Sequence, residues 1–335
     1  MSTRTSIFAL FAASLVGCSG GSGPQKPMGL LPEATTTAQP EWLPFAIRVG
    51  KSIDPDPREK HLTLPRRLTE GWTVDAIAWS PDAKALAVVA KRPQEKTASL
   101  YLLPLSSGAP ERISAEGEEV LGVSGTASEP WRVVYWVSDK GGTSLRERQA
   151  SGERKSLDVG ALKVKSAAVS ADGSALFVIG ESGGERGVFA TPAAGAGPKL
   201  LVADRAATGS PAISADRSYV AWPTEENGQK RIAMASVEGR GSRPVVNAPA
   251  RSPSFLPGTT RLLFSSDIDA AGGEIYAADL GPEGPATAGA ARPERITFAQ
   301  AENPVAAPTG RIIAFTSRRG GATPDLYLAR WVDDP

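Results

Sequence analysis

Across 335 residues the chain is 41% hydrophobic and only 6% aromatic, with 35 glycines, 28 prolines and a net charge of +1. That balance supplies no basic field, so nucleic acid is not expected as a partner. One cysteine and one histidine exclude a disulfide framework and the usual zinc or copper sites, and no cofactor is expected.

The chain opens with a positive residue, Arg4, followed by an apolar stretch at 7–16 that is too short to span a bilayer. It ends in Leu15-Val-Gly-Cys18, which resembles a bacterial lipobox. Residues 1–17 therefore read as a lipoprotein signal peptide and Cys18 as the lipidated new N-terminus, the alternative being an ordinary signal with an incidental cysteine. Each buried acyl CH₂ contributes ~0.8 kcal/mol, so several chains on one cysteine anchor durably. Ser19 comes directly after the cysteine, which favours the outer membrane under the enteric sorting rule. Residues 18–40 hold many Gly and Pro and few apolar residues, the composition of a flexible tether with a reach of roughly 70 Å at ~3.3 Å per residue. Residues 41–65, with Phe45-Ala-Ile-Arg-Val49, are more apolar and are expected to form an extended segment packed on the C-terminal repeats.

From residue 66 to the end one phrase recurs six times. A strand runs into a Ser-Pro-Asp-like turn, then comes an apolar strand, then a third strand carrying an aromatic. The clearest copy is Ala76-Ile-Ala-Trp-Ser-Pro-Asp-Ala-Lys-Ala-Leu-Ala-Val-Val89, with Ser99-Leu-Tyr-Leu-Leu-Pro104 as its third strand. Turns anchored at Ser80, Ser124, Ser170, Ser214, Leu256 and Ala307 lie 42 to 51 residues apart, the period of propeller blades. The second strands, such as Ala85-Leu-Ala-Val-Val-Ala90 and Arg311-Ile-Ile-Ala-Phe315, are continuous apolar runs, as burial on both faces requires. Only the second repeat's third strand, with Arg146 and Glu147, lacks an apolar pair. The sixth repeat runs out of chain after three strands. Arg66-Arg-Leu-Thr69, which is similar to the outer strand Glu294-Arg-Ile-Thr297, is expected to supply the fourth and lock the ring. No stretch shows a helical apolar period. The expected fold is all-β, a six-bladed β-propeller of four-stranded antiparallel blades over 66–335, preceded by the signal and tether.

These repeats resemble the TolB-type, WD40-like propeller repeats of bacterial envelope proteins. The features that carry the resemblance are Ser80-Pro-Asp82 between two apolar strands and Arg66-Arg-Leu-Thr69, and it spans 66–331. A full TolB protein carries an α/β domain before its propeller. The interval from Cys18 to Arg66 is too short and too rich in turn residues to form it, so a relative without that domain is implied. The resemblance also implies that the channel-mouth region binds partner proteins.

Chemistry is sparse. Gly180-Glu-Ser-Gly-Gly184 matches the Gly-x-Ser-x-Gly pattern, but a strand comes after Ser182 and the sole histidine is His61, so it reads as a hairpin. His61 itself reads as a surface or packing residue. Asp267-Ile-Asp269 with Glu274, and Asp54-Pro-Asp56, hold calcium-compatible oxygens without the full loop pattern. The Gly-Gly pairs at 141–142, 183–184, 272–273 and 320–321 mark turns between second and third strands. One row stands out. Five positions before each anchor lie Asp75, Glu119, Lys165, Gly209, Arg251 and Glu302, where each innermost strand begins, at one mouth of the channel. The loops at 92–96, 139–140, 225–230 and 318–319 are expected on the same face. A solvated rim and a recognition surface both account for the row.

The expectation is a non-catalytic, lipid-anchored envelope protein, facing the periplasm and monomeric. It would bind an envelope protein or a peptidoglycan-associated component through the rim residues Asp75, Glu119, Lys165, Arg251 and Glu302. The alternative is a propeller enzyme or sugar-binding propeller using channel-mouth carboxylates with a metal or organic cofactor.

Overall fold

Alternation along the second strands shows how the chain closes on itself. In Ala85–Lys91, Leu86, Val88 and Ala90 pack with Ala314, Leu326 and Leu328, while Ala87 and Val89 pack with Val133, Tyr135 and Val137. One strand thus feeds two cores, one on each side, as a period of two dictates for a sheet sandwiched between neighbours. The computed structural model describes residues 51–105, 109–149, 151–192, 197–246, 248–280 and 293–333. Cys18, the signal, the tether and Phe45–Val49 lie outside them.

Six antiparallel sheets succeed one another in chain order. Blade 1 is Thr73–Trp79, Ala85–Lys91, Ser99–Pro104 and Glu111–Arg112; blade 2 is Glu119–Gly125, Val133–Asp139, Gly142–Arg148 and Arg154–Ser156. Blade 3 is Lys163–Val169, Ala175–Ser182, Glu185–Pro192 and Lys199–Ala203; blade 4 is Ala212–Ile213, Tyr219–Glu226, Gln229–Ser236 and Arg243–Val246. Blade 5 is Arg251–Phe255, Arg261–Ser266, Glu274–Asp279 and Glu294–Arg295. Blade 6 is Ala301–Ala306, Ile312–Ser317 and Asp325–Trp331, completed by Leu62–Arg67 and edged by Lys51–Ser52. Among the described residues there is no helix. The fold is a six-bladed β-propeller.

The ring is locked by the strand from the start of the unit. Leu62 pairs with Trp331, Thr63 with Arg330, Arg66 with Leu328 and Arg67 with Tyr327, all antiparallel. Asp325, 1% exposed, accepts bonds from Arg67 Nη2 (2.7 Å), Thr69 Oγ1 (3.0 Å), Trp72 N (2.9 Å) and Thr323 Oγ1 (2.9 Å). Blade 5 repeats the device. Glu274, 2% exposed, accepts from Arg295 Nη2 (2.9 Å), Thr297 Oγ1 (2.7 Å) and Gln300 N (3.1 Å). The Arg-Leu-Thr and Arg-Ile-Thr likeness in sequence is thus a shared way of satisfying a buried carboxylate.

The segment before the closing strand is also tied down. Glu59 is buried in a two-pronged pair with Arg319 (2.8 and 3.0 Å). His61, 5% exposed, stacks on Trp331 at 5.0 Å and bonds Val332 O (2.7 Å) and Glu294 Oε1 (3.0 Å). It is a packing residue, not a surface one. Arg319, expected on the rim, is instead spent on Glu59.

The turns explain the Ser-x-Asp signature. Ser80 Oγ donates to Asp82 Oδ1 (2.8 Å) and accepts from Lys84 N (3.1 Å) and Ala85 N (2.9 Å). Ser170 with Asp172 and Ser214 with Asp216 repeat it. In blade 2 the equivalent residue is Thr126, whose Oγ1 accepts Arg132 N (3.0 Å) and whose N–H bonds Arg132 O. The anchor of this blade is therefore Thr126 and not Ser124, two positions earlier.

Candidate functional site

Each innermost strand ends its sheet, so six strand edges face a central channel. Bonds between neighbouring blades hold them in place: Val169 N to Ser124 Oγ (3.1 Å), Ala306 N to Ser254 Oγ (3.3 Å) and Trp79 Nε1 to Val305 O (2.9 Å). The channel encloses about 580 Å³. Its wall is largely small and uncharged, with Ala78, Ser124, Ala167, Ala212, Ser254 and Ala306 among the lining residues. At the turn end Ala127, Ala171, Ala215, Pro257 and Pro308 complete the lining. The charges that line it are Asp75, Glu225, Lys230 and Arg251.

Of the row expected at the mouth, Asp75, Gly209 and Arg251 line the channel. Asp75 and Lys165 are the extra residues of β-bulges, where the register skips from Val74 to Ala76 and from Val164 to Ser166. A bulge leaves one residue unpaired and turns it out of the ladder. In blade 2 the skipped residue is Leu121, between Val120 and Gly122, while Glu119 pairs with Ser138 in the ladder. Glu119 is thus out of the row and Leu121, 44% exposed, takes its place. The difference traces to the anchor. With Thr126 in place of Ser124, counting back five positions lands on Leu121.

Local electrostatics differ around the mouth. Desolvation pushes the Asp75 carboxyl above its ordinary range, with Lys91 pulling the other way. The Lys165 ammonium is pushed below its ordinary range, first by desolvation and then by Arg186, against Glu181. Arg251 is paired with Glu302 and lies 3.9 Å from Asp267. Gly273, at φ +81°, a conformation that favours glycine, brings its backbone close to both members of the Arg251–Glu302 pair.

Blades 4 to 6 carry a feature that the repeat pattern did not flag. Ser210-Pro211, Ser252-Pro253 and Asn303-Pro304 stand at the same distance before three successive anchors, the first just ahead of its inner strand and the other two within theirs, and all six residues line the channel. Ser252 and Asn303 both have φ of 52°, a left-handed conformation that is costly for a residue before proline. Ser252 Oγ bonds Asn303 Oδ1 (2.8 Å), and Asn303 N bonds Ser265 Oγ (2.9 Å), so the bulges are tied together. The recurring Ser/Asn-Pro four and three positions before the anchor was the signal available in the sequence.

The calcium-compatible carboxylates do not converge. Asp269 accepts the Tyr276 hydroxyl (2.7 Å), Glu274 holds Arg295 and Thr297, and Asp56 holds Arg58 (2.7 Å). Among the described residues no three His, Cys, Asp or Glu side chains gather as a metal site. Gly183 and Gly184, both at positive φ, turn a hairpin between two strands, so Ser182 has no elbow or base.

The architecture and channel are those of a six-bladed β-propeller, and solved propellers are similar to it. TolB from Acinetobacter baumannii is 15% identical with a TM-score of 0.50, covering 78% of this chain and 55% of that one. A putative TolB from Agrobacterium tumefaciens is 14% identical with a TM-score of 0.55, covering 78% and 90%. An oligogalacturonate lyase in complex with manganese is 15% identical with a TM-score of 0.55, covering 85% and 98%. No protein-family model matches the sequence, and no curated protein is similar to it in sequence. The likeness is one of fold.

Proposed function

We propose that this chain is a non-catalytic, lipid-anchored propeller of the bacterial envelope that binds another envelope protein, or a cell-wall component, through its channel mouth. The observation that carries the reading is the contrast between a small-residue, uncharged channel wall and a mouth with mixed charge, an exposed Leu121 and constrained bulges in blades 5 and 6. Such a rim offers apolar and ionic contacts together, which is the composition of a protein-binding surface. Lipidation at Cys18 holds the propeller to the outer membrane on the periplasmic side.

The test is crosslinking and pull-down from intact cells. The lipidated protein is compared with a variant carrying Leu121→Ser, Arg251→Ala and Glu302→Ala. One envelope component enriched by the parent and lost in the variant supports the reading; equal recovery from both contradicts it.

A second reading is a propeller enzyme or sugar-binding propeller using mouth carboxylates. Its support is the raised Asp75 carboxyl, suited to donating a proton, together with the lyase likeness. Stabilisation by manganese or calcium that Asp75→Asn removes would favour it over the first.

A further inference from the structure

The wall between blades 1 and 2 carries a cluster of arginines that the fold holds only in part. Arg146 and Arg148 lie opposite Tyr135 and Val133 in the blade 2 ladder, so they share the face packed toward blade 1. Arg154, on the outer strand, stands directly opposite Arg148, and Ser156 opposite Arg146. Three guanidinium groups therefore occupy one sheet face around one phenol. Like charges directly opposite each other weaken an antiparallel pair, so this arrangement costs stability.

Their counter-charges are incomplete. Glu118 forms an ion pair with Arg146 at 3.7 Å and Glu111 one with Arg148 at 3.8 Å, both beyond hydrogen-bond length. The other oxygen of Glu118 already accepts Ala115 N (2.8 Å). Arg146 reaches Ser156, but its buried Nε has no hydrogen-bond partner and only the long ion pair with Glu118. Arg154 makes no hydrogen bond or ion pair among the described residues, and neither does the Tyr135 hydroxyl. Burial leads in raising the Tyr135 phenol, Glu118 adds to it, and Arg154, Arg146 and Arg148 oppose it, so the same groups act on one point.

Edge protection alone does not account for this. A charge that blunts a sheet edge sits on the outermost strand in water, as Arg154 and the half-exposed Lys155 do. Arg146 and Arg148 sit one strand further in, with side chains only 30% and 21% exposed. Half-buried guanidinium donors that lack hydrogen bonds lose hydration without fully replacing it.

We propose that this cluster is a binding site for a phosphate group, with Arg146, Arg148 and Arg154 as its charged donors and the Tyr135 hydroxyl as a neutral one. A phosphate monoester carries three acceptor oxygens and close to two negative charges, matching the fork geometry of arginine. The site lies on the outer wall, away from the channel mouth, and does not depend on what the mouth binds. The phosphate can belong to a lipid headgroup or to a soluble phosphoester.

The test uses the full chain titrated with inorganic phosphate, against chloride at matched ionic strength, monitored by calorimetry and by thermal midpoint. The proposal predicts saturable binding that raises the midpoint. It further predicts about tenfold weaker binding in Arg148→Gln/Arg154→Gln, and a smaller loss in Tyr135→Phe. Arg154→Gln alone, on the exposed outer strand, serves as the variant whose folding is not in question. Phosphate indistinguishable from chloride, or unchanged binding in the double variant, overturns it. Vesicles containing phosphatidate, compared with soluble glycerol phosphate, identify the source. Variant-sensitive binding to either upholds the site, and binding to neither overturns it.

Discussion

Replacing Asp325 by Asn tests whether the ring is held shut by one buried carboxylate. The side chain is 1% exposed and accepts four bonds, two of them from Arg67 and Thr69 on the closing strand. Asparagine keeps the shape but removes the charge opposite Arg67, itself only 13% exposed, and turns an NH₂ toward either the Arg67 guanidinium or the Trp72 N–H, which can only donate. Breaking a buried pair from one side costs about 3–5 kcal/mol. At roughly 2–4 °C per kcal/mol for a unit of this size, the thermal midpoint should fall on the order of 10 °C. Glu274→Gln is the matched control, because the same chemistry is lost within blade 5, where both strands lie close in sequence. Both variants should lose similar stability, but hydrogen exchange should separate them. Asp325→Asn should expose the amides of 62–69 first, and Glu274→Gln those of 294–297. A loss under about 1 kcal/mol, or identical exchange patterns, would refute the closure argument.

Three more variants probe the same geometry. Asp172 is held near 2, first by the Ser170 hydroxyl, then by Ser174 and Arg217, against desolvation. Its folded value lies below its unfolded one, so its stabilisation is full above about pH 4 and drains as pH falls toward 2. Denaturant titrations should show a shallower acid limb in Asp172→Asn. Gly187→Ala puts a Cβ into the Val202 carbonyl oxygen, backbone that cannot yield cheaply, and should cost about 2 kcal/mol or more in urea unfolding. His61→Phe keeps a ring on Trp331 but loses the bonds to Val332 and Glu294, and should cost about 1–3 kcal/mol, read as faster cleavage at the C-terminal end under limited proteolysis.

The blades were legible because burial on both faces writes itself as apolar runs at a fixed period. Leu86 to Ala90 and Ile313 to Phe315 are plain examples. The closing strand was legible because Arg66 to Thr69 and Glu294 to Thr297 answer the same need, a buried acid on the neighbouring third strand. Blade 2 was not. Thr126 does the work of Ser80 without the Ser-x-Asp pattern, across a loop one residue longer, so Ser124 took its place and Glu119 displaced Leu121 from the row. Its third strand looked wrong because Glu147, 0% exposed, is neutralised by Arg132 (2.8 Å), a partner 15 residues away that pattern alone does not reveal. At the mouth, the sequence pointed to charge at Asp75 and Arg251 but not to the αL bulges at Ser252 and Asn303. Those are set by backbone pairing between strands.

The most direct test of mouth binding is a photo-crosslinking residue placed at Leu121, compared with one at Arg217 on the turn side, both in living cells. The account predicts one discrete crosslinked envelope component from position 121 and none of it from position 217. The same product from both positions, or from 217 alone, would contradict it.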